Sequence, residues 1–288
     1  MRDMTAPDIA AVVILYRPDD SMVDNIAAVA PQVGCVIAVD NTEAPEPGFL
    51  ARLSDLPCVE YLPMEGNRGI AAALNAGIAR AKADGFPFVL TLDQDSTPGP
   101  DMVAALLTCT SSCPDAALVS ATHVERGAAE TPVVVEPGCR PVLTTMTSGN
   151  LLRIDAWERV GGFDETLFID SVDHDFCLKL HEAGLGVYEC GAAFLAHSVG
   201  ATAATSGPLR AHPSHHSALR RYYITRNRLA VGDRHRERFP EFRAQQRRAM
   251  WRELAKIVLF EGDKAAKARM MWRGWRDYRA GVTGAFRG

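Results

Sequence analysis

The run Ile9–Tyr16 is apolar without a break. A strand with one face in water alternates apolar and polar residues, whereas an unbroken apolar strand needs cover on both faces. Cys35–Val39, Val59–Pro63 and Pro87–Leu92 read as further short strands. Between them, Asp20–Ala30 carries Met22, Ile26 and Val29 at helical spacing, and Gly69–Ala83 is Ala-rich. Strand, helix and strand in alternation predict an α/β fold: a mostly parallel sheet flanked by helices.

Downstream, helices are expected at Asp101–Cys109, Asp155–Val160 and Asp173–Ala183. Strands are expected at Ala116–Ser120, Gly186–Glu189 and Phe194–Ala196, with Thr144–Arg153 leading into a helix. Glu125–Arg140 reads as a loop or irregular hairpin, and Ala201–Ser214 as a mobile loop. From Ser217 the chain is helical and basic. Residues 1–208 carry 11 Lys+Arg against 28 Asp+Glu, and residues 209–288 carry 20 against 7. Two parts with different partners are therefore expected, residues 1–208 and a basic helical region over 209–288.

With 288 residues, 47% of them hydrophobic, the chain can bury a large core. It has no apolar run of about 20 residues, so no membrane-spanning helix is expected. Residues Met1–Asp8 show no signal-peptide pattern. Seven cysteines, an odd number without a C-x-x-C pair, predict reduced thiols in a cytoplasmic protein.

Ligands of an open parallel sheet bind beyond the carboxyl ends of its strands. Val39-Asp40-Asn41 ends one strand there, and Leu92-Asp93-Gln94-Asp95 ends another. In extended chain the two carboxylates of Asp-x-Asp project to one side. They suit Mg²⁺ or Mn²⁺ shared with substrate phosphates. A capping turn before Ser96-Thr97-Pro98 explains the same residues without chemistry. A third acidic cluster, Asp170, Asp173 and Asp175, precedes an apolar helix. One or more of these acids can serve the helix dipole. Unshielded like charges also raise one another's pKa, which suits a general base. His197, after a short apolar strand, is either structural or a metal ligand.

The order and spacing of these motifs resemble the GT-A fold glycosyltransferases of family 2, and within them bacterial rhamnosyltransferases that use dTDP-L-rhamnose. The matching residues are Val39-Asp40-Asn41, Asn67 through Gly77, Leu92 through Ser96 and Thr147-Ser148-Gly149-Asn150. Gly161 through Glu165, Leu167 through Asp170, Val172-Asp173, His197 through Gly200, and Arg221-Tyr222-Tyr223 with Arg226-Asn227 complete the set. The resemblance spans about residues 9–230. It implies that Asp40 binds the nucleobase and Asp93 the ribose or diphosphate. Asp95 would bind the metal, with His197 as a further ligand. Asn67, Gly69 and Asn75 would shape the nucleotide pocket, while Ser148, Gly149 and Asn150 face the donor sugar or acceptor. Asp173 would be the catalytic base. Val172 stands where many family members have Glu, which leaves Asp170 as a rival base. The implied reaction is inverting transfer of rhamnose to a glycan hydroxyl. Another nucleotide sugar is the alternative within enzymes, and a non-catalytic nucleotide-sugar or glycan-binding protein is the alternative outside them.

Arg226 joins the expected donor-binding groups because guanidinium forks onto phosphate. The tail also interleaves Trp251, Leu254, Ile257, Val258 and Phe260, then Met270, Met271, Trp272, Trp275 and Tyr278, with Arg and Lys. Two readings fit: an interfacial helix on an anionic membrane, or a helical cap that packs on the catalytic domain or on a second subunit. Either suits a lipid-linked glycan acceptor at the inner face of a cell membrane. No nucleic-acid-binding motif accompanies the charge.

Overall fold

The structure is a computed structural model that describes residues 5–125, 138–197 and 216–288. Ala201–Ser214 and most of Glu125–Arg140 lie outside the described residues. Strands β1 (Ile9–Leu15), β2 (Cys35–Asp40), β3 (Val59–Pro63) and β4 (Phe88–Asp93) are parallel, in the spatial order β3-β2-β1-β4. Every residue of β1 is buried, as its unbroken apolar run requires. The helices α1 (Ser21–Val29), α2 (Pro47–Ser54) and α3 (Ile70–Ala83) connect these strands. Gly77 lets α3 lie close on the sheet, because a Cβ there would sit 2.4 Å from Val12 Cγ1 and 2.9 Å from Val39 Cγ2.

After β4 the sheet becomes mixed. The chain continues through β5 (Ser96–Pro98), α4 (Met102–Ser112), β6 (Ala116–Glu125), β7 (Cys139–Pro141) and β8 (Asn150–Arg153). Then come α5 (Ile154–Arg159), α6 (Val172–Glu182) and β9 (Gly186–His197). Strand β8 runs antiparallel between β4 and β6, and β9 pairs parallel with β6 and antiparallel with β5 and β7. Two expectations are corrected here. Asn150–Arg153 is a strand before its helix, short enough that no periodicity marks it. The two strands expected after Gly186 are one, whose register against β6 jumps from Cys190 to Phe194.

Packing of α4 on β9 brings Cys109 on α4 and Cys139 on β7 side by side, with Cα atoms 5.6 Å apart. Among the described residues the other five cysteines are free, and burial pushes the Cys177 thiol up to about 12.

The chain divides into two compact units, residues 1–168 with 172–198, and residues 169–171 with 199–288. The expected boundary at 208/209 falls outside the described residues. The second unit contains α7 (Ala218–Arg234), α8 (Pro240–Phe260) and α9 (Lys264–Arg279). Ser217 caps α7, its Oγ accepting from Arg220 N at 3.2 Å. The interior of this unit is unusually charged. Arg221 pairs with Glu261 at 2.7 Å and with Glu253 at 3.0 Å, and Lys267 pairs with Glu261 at 2.7 Å. Tyr222 donates its hydroxyl to Asp277 at 3.0 Å.

Candidate active site

The carboxyl ends of β2 and β4 meet where a parallel sheet presents its ligands. Asp93 closes β4, and the turn Gln94–Asp95 leads into β5. That turn is held from three sides. Gln94 reads the backbone of Tyr16 with both amide atoms: Tyr16 N donates to Oε1 at 2.7 Å, and Nε2 donates to Tyr16 O at 3.2 Å. Asn25 donates to Gln94 O at 2.8 Å and accepts from Thr97 Oγ1 at 2.6 Å. Ser148 Oγ accepts from Asp93 N at 3.0 Å and bonds Ser96 Oγ at 2.8 Å. The backbone of the acidic turn is thus fixed before any ligand arrives. Both carboxylates stay partly exposed.

Ser148, Gly149 and Asn150 are all buried. Ser148 supports the turn. Gly149 has φ +79, and a Cβ there would lie 2.9 Å from Leu195 Cδ2. Asn150 Nδ2 donates to Met146 O at 2.6 Å. These contacts brace the acidic turn and the start of β8. His197 is placed only by its backbone, which pairs with Ser96 across β5 and β9; its side chain lies outside the described set. Among the described residues no cluster of three potential metal ligands occurs.

At the end of β2, Asp40 is 1% exposed. Its Oδ1 accepts from Thr42 N at 2.9 Å and its Oδ2 from Tyr61 Oη at 2.9 Å. Burial, then the bond to Asp40, pushes the Tyr61 phenol upward. Asn41 ties this turn to the start of α3: Oδ1 accepts from Arg68 N at 2.8 Å, and Nδ2 donates to Gly69 O at 3.1 Å. Asn67 Oδ1 accepts from Gly69 N at 3.0 Å. Gly69 adopts φ +87 and ψ 162, and Ile70 N donates to Phe168 O at 2.8 Å. The segment before the acidic cluster is therefore pinned to the turn that begins α3.

Asn75 faces away from this region. Its Nδ2 donates to Phe163 O and Glu165 Oε1, and its Oδ1 accepts from Phe163 N and Trp157 Nε1, all at 2.9–3.0 Å. With these four bonds the amide clamps the Gly-Gly-Phe-Asp-Glu loop. A cleft of about 630 Å³ lies beside it, lined by Arg68, Ala72, Ala76, Trp157 and Glu165 among others. No strand-end carboxylate lines that cleft.

The acids of the third cluster are not left unshielded. Asp175, fully buried in the first turn of α6, has Lys179 Nζ at 3.9 Å. Asp173, in the same turn, is partly exposed. Its Oδ1 accepts from His174 N at 2.8 Å, and Oδ2 has no hydrogen-bond partner among the described residues. Asp170 belongs to the second unit, where Arg220 donates to its carboxylate at 3.2 Å. Asn227 donates to Ile169 O at 2.6 Å and Asp170 O at 3.1 Å. Phe168, Asp170 and Ser171 have φ of 66°, 65° and 65°. Non-glycine residues there cost of order 1–3 kcal/mol each and persist only where neighbours over-determine them.

Arg226 is 2% exposed. It donates to Gly284 O at 2.7 Å and Asn227 Oδ1 at 2.8 Å, and its guanidinium lies over the Tyr222 and Tyr223 rings. Arg226 is thus an internal tie of the helical unit. Tyr61, Gln94, Asn25 and Arg220 were not assigned roles by sequence reasoning. Gln94 stands inside the Asp-Gln-Asp motif, but nothing in sequence signals that its amide would face Tyr16.

Residues 13–161 match the family model described as Glycosyl transferase family 2. The chain is 26% identical over 238 residues to the dTDP-rhamnosyl transferase RfbF of Shigella flexneri, covering 76% of this chain and 78% of that protein. It is 32% identical over 105 residues to the succinoglycan biosynthesis protein ExoO of Rhizobium meliloti (strain 1021), covering 35% and 29%. Among solved structures it resembles GalNAc-T7 with UDP, GalNAc and Mn²⁺ at TM-score 0.58 and 12% identity, covering 88% of this chain and 58% of that one. It also resembles S. aureus TarS 1-349 at TM-score 0.54 and 10% identity, covering 96% and 72%. At such identities these two likenesses establish the fold alone.

Proposed function

Because the chain belongs to glycosyl transferase family 2, a glycosyltransferase fold with its strand-end acids in place, we propose that it moves L-rhamnose from dTDP-L-rhamnose to a glycan hydroxyl with inversion. The observation that carries the reaction class is the Asp93-Gln94-Asp95 turn, which Tyr16, Asn25 and Ser148 fix at the carboxyl end of β4. The donor reading rests on the similarity to a dTDP-rhamnosyl transferase over three quarters of the chain.

In this reading Asp40, Asn67 and Gly69 shape the nucleotide end of the cleft, and Asp93 holds the ribose or diphosphate. The donor set fits a divalent ion: two carboxylates flank Gln94, and the β5–β9 register brings the His197 backbone opposite Ser96, the neighbour of Asp95. Bound by Asp95 and His197, Mg²⁺ or Mn²⁺ would neutralise charge on the leaving diphosphate. Asp173 is the base. It lies in the first turn of α6, and among the described residues its Oδ2 has no hydrogen-bond partner. It accepts the proton of the acceptor hydroxyl as that oxygen attacks the anomeric carbon from the face opposite the diphosphate. The C–O bond to the diphosphate breaks as the new glycosidic bond forms. We read the acceptor as a cell-surface glycan or its lipid-linked precursor, glycosylated in the cytoplasm at the inner membrane face.

The test is diphosphate release from a panel of nucleotide sugars, with and without Mn²⁺. Turnover of dTDP-rhamnose above UDP- and GDP-sugars is expected. Preferential turnover of a UDP-sugar removes the donor reading, and no turnover of any donor with any acceptor favours a binding protein.

A further inference from the structure

The helical unit is built inside out with respect to charge. Its interior holds Arg221, Arg226, Glu261, Lys267 and Asp277, each under 7% exposed. Its surface holds Trp251 and Leu259, both 66% exposed, Trp272 at 58% and Trp275 at 44%. Helix α9 shows the inversion most directly. Lys267, Met271, Gly274 and Asp277 form its buried face. Gly274 fits there because a Cβ would lie 2.5 Å from Tyr222 O. The opposite face presents Ala268, Arg269, Trp272, Trp275, Arg276 and Arg279. The C-terminal half of α8 repeats the mixture with Arg248, Trp251, Arg252, Lys256 and Leu259 exposed. Indoles left in water cost free energy unless a partner covers them.

We infer that this aromatic and basic surface of α8 and α9 docks on an anionic lipid bilayer. No described helix is long and apolar enough to cross one. What the surface offers is an interfacial chemistry. Tryptophan is at home at headgroup depth, where its ring is apolar and its N–H stays wet. Arg276 lies over the Trp272 ring at 5.5 Å and Arg279 over the Trp275 ring at 5.9 Å. Each pair therefore presents a ring and a cation together, the ring for the acyl boundary and the guanidinium for a lipid phosphate. A second copy of the chain fits this surface poorly, because a two-fold contact would bring like cations face to face and interface cores are depleted of charge. The inference rests on the helical unit and is independent of the donor assignment.

The test is co-sedimentation of the full chain with vesicles of phosphatidylglycerol and phosphatidylcholine, and with vesicles of phosphatidylcholine alone. Binding is expected only to the anionic vesicles and is expected to fall as salt is raised. A surface cation near an anionic leaflet is worth about fivefold in partitioning, so Arg276→Gln with Arg279→Gln should lower it about 25-fold. Trp272→Ser with Trp275→Ser should also release the protein. Indole fluorescence quenched by brominated lipid in the wild type, and not in that variant, would place the rings in the bilayer. All four residues are at the surface, so the denaturant melt should match wild type and report an intact fold. Equal binding to both vesicle types overturns the proposal. So does failure to bind either, and so does a concentration-dependent dimer by light scattering that Trp272→Ser with Trp275→Ser dissolves.

Discussion

Gly69→Ala tests the connection between the start of α3 and the acidic cluster. Gly69 sits at φ +87, ψ 162, a region open almost only to glycine. An added Cβ would stand 2.5 Å from Phe168 O and 2.9 Å from Phe168 Cα, backbone atoms that cannot rotate away. The dihedral penalty is about 1–3 kcal/mol. Displacing Phe168 also breaks the 2.8 Å bond from Ile70 N, worth about 1 kcal/mol. The expected loss of stability is therefore roughly 2–4 kcal/mol. Gly77→Ala is the control. Its Cβ would meet the Val12 and Val39 side chains, an overpacking cost of about 1–3 kcal/mol in the core. Denaturant melts should thus rank the two variants close together. Turnover should separate them. Only Gly69→Ala shifts the segment that leads through Phe168 to Asp173, and misplacement by about 1 Å can cost on the order of 10²-fold in rate. Initial rates would be measured at a temperature where both variants are folded. Wild-type turnover in Gly69→Ala, or an equal loss in Gly77→Ala, would refute the coupling.

Asp173→Asn should lower turnover by about 10²–10⁴-fold with dTDP affinity by calorimetry near wild type; a larger loss in Asp170→Asn at equal donor affinity would move the role of base to Asp170. Asp95→Ala, and chelation of the wild type, should each abolish transfer while the melting curve of the variant stays close to wild type. Full activity in excess chelator would remove the metal role of the Asp93–Asp95 turn. His216 is held at about 4, below its usual 6.5, first by burial and then by Arg220 and Arg221. The unfolded chain therefore takes up this proton before the folded one does. Stability of the helical unit should fall as pH drops from about 6.5 toward about 4, and His216→Gln should flatten the dependence; an unchanged pH profile in the variant would assign the loss to other groups.

The sheet's first half was legible because burial on both faces leaves an unbroken apolar record in sequence, as in Ile9–Leu15. The second half was less so. Asn150–Arg153 is too short to show a period, and β5 is three residues whose Ser-Thr-Pro composition reads as a turn. The acidic motifs were legible because their spacing is local. The side chains that brace them were not, because support is a matter of which groups meet across the fold. Asn75 and Arg226 look in sequence like ligand contacts, and the protein partners they find, Phe163 and Trp157 for one and Asn227 and Gly284 for the other, are announced by no local pattern. The approach of Cys109 to Cys139 was hidden for the same reason: the two residues are 30 positions apart, and only the fold brings them together.

The three supports of the Asp93–Asp95 turn also fix when the turn can form. Tyr16 and Asn25 leave the ribosome well before the turn, but Ser148 follows it by more than fifty residues. It reaches its place only after β8 has inserted antiparallel beside β4. A nascent chain stopped short of Ser148 holds every strand of the first, parallel half of the sheet and both carboxylates, but lacks the hydroxyl that anchors Asp93 N and Ser96. Because long-range pairings close last, such a chain should form its parallel strands and hold the acidic turn loosely. The order of synthesis thereby leaves that turn unbraced until the chain that follows it has returned to pair with β4.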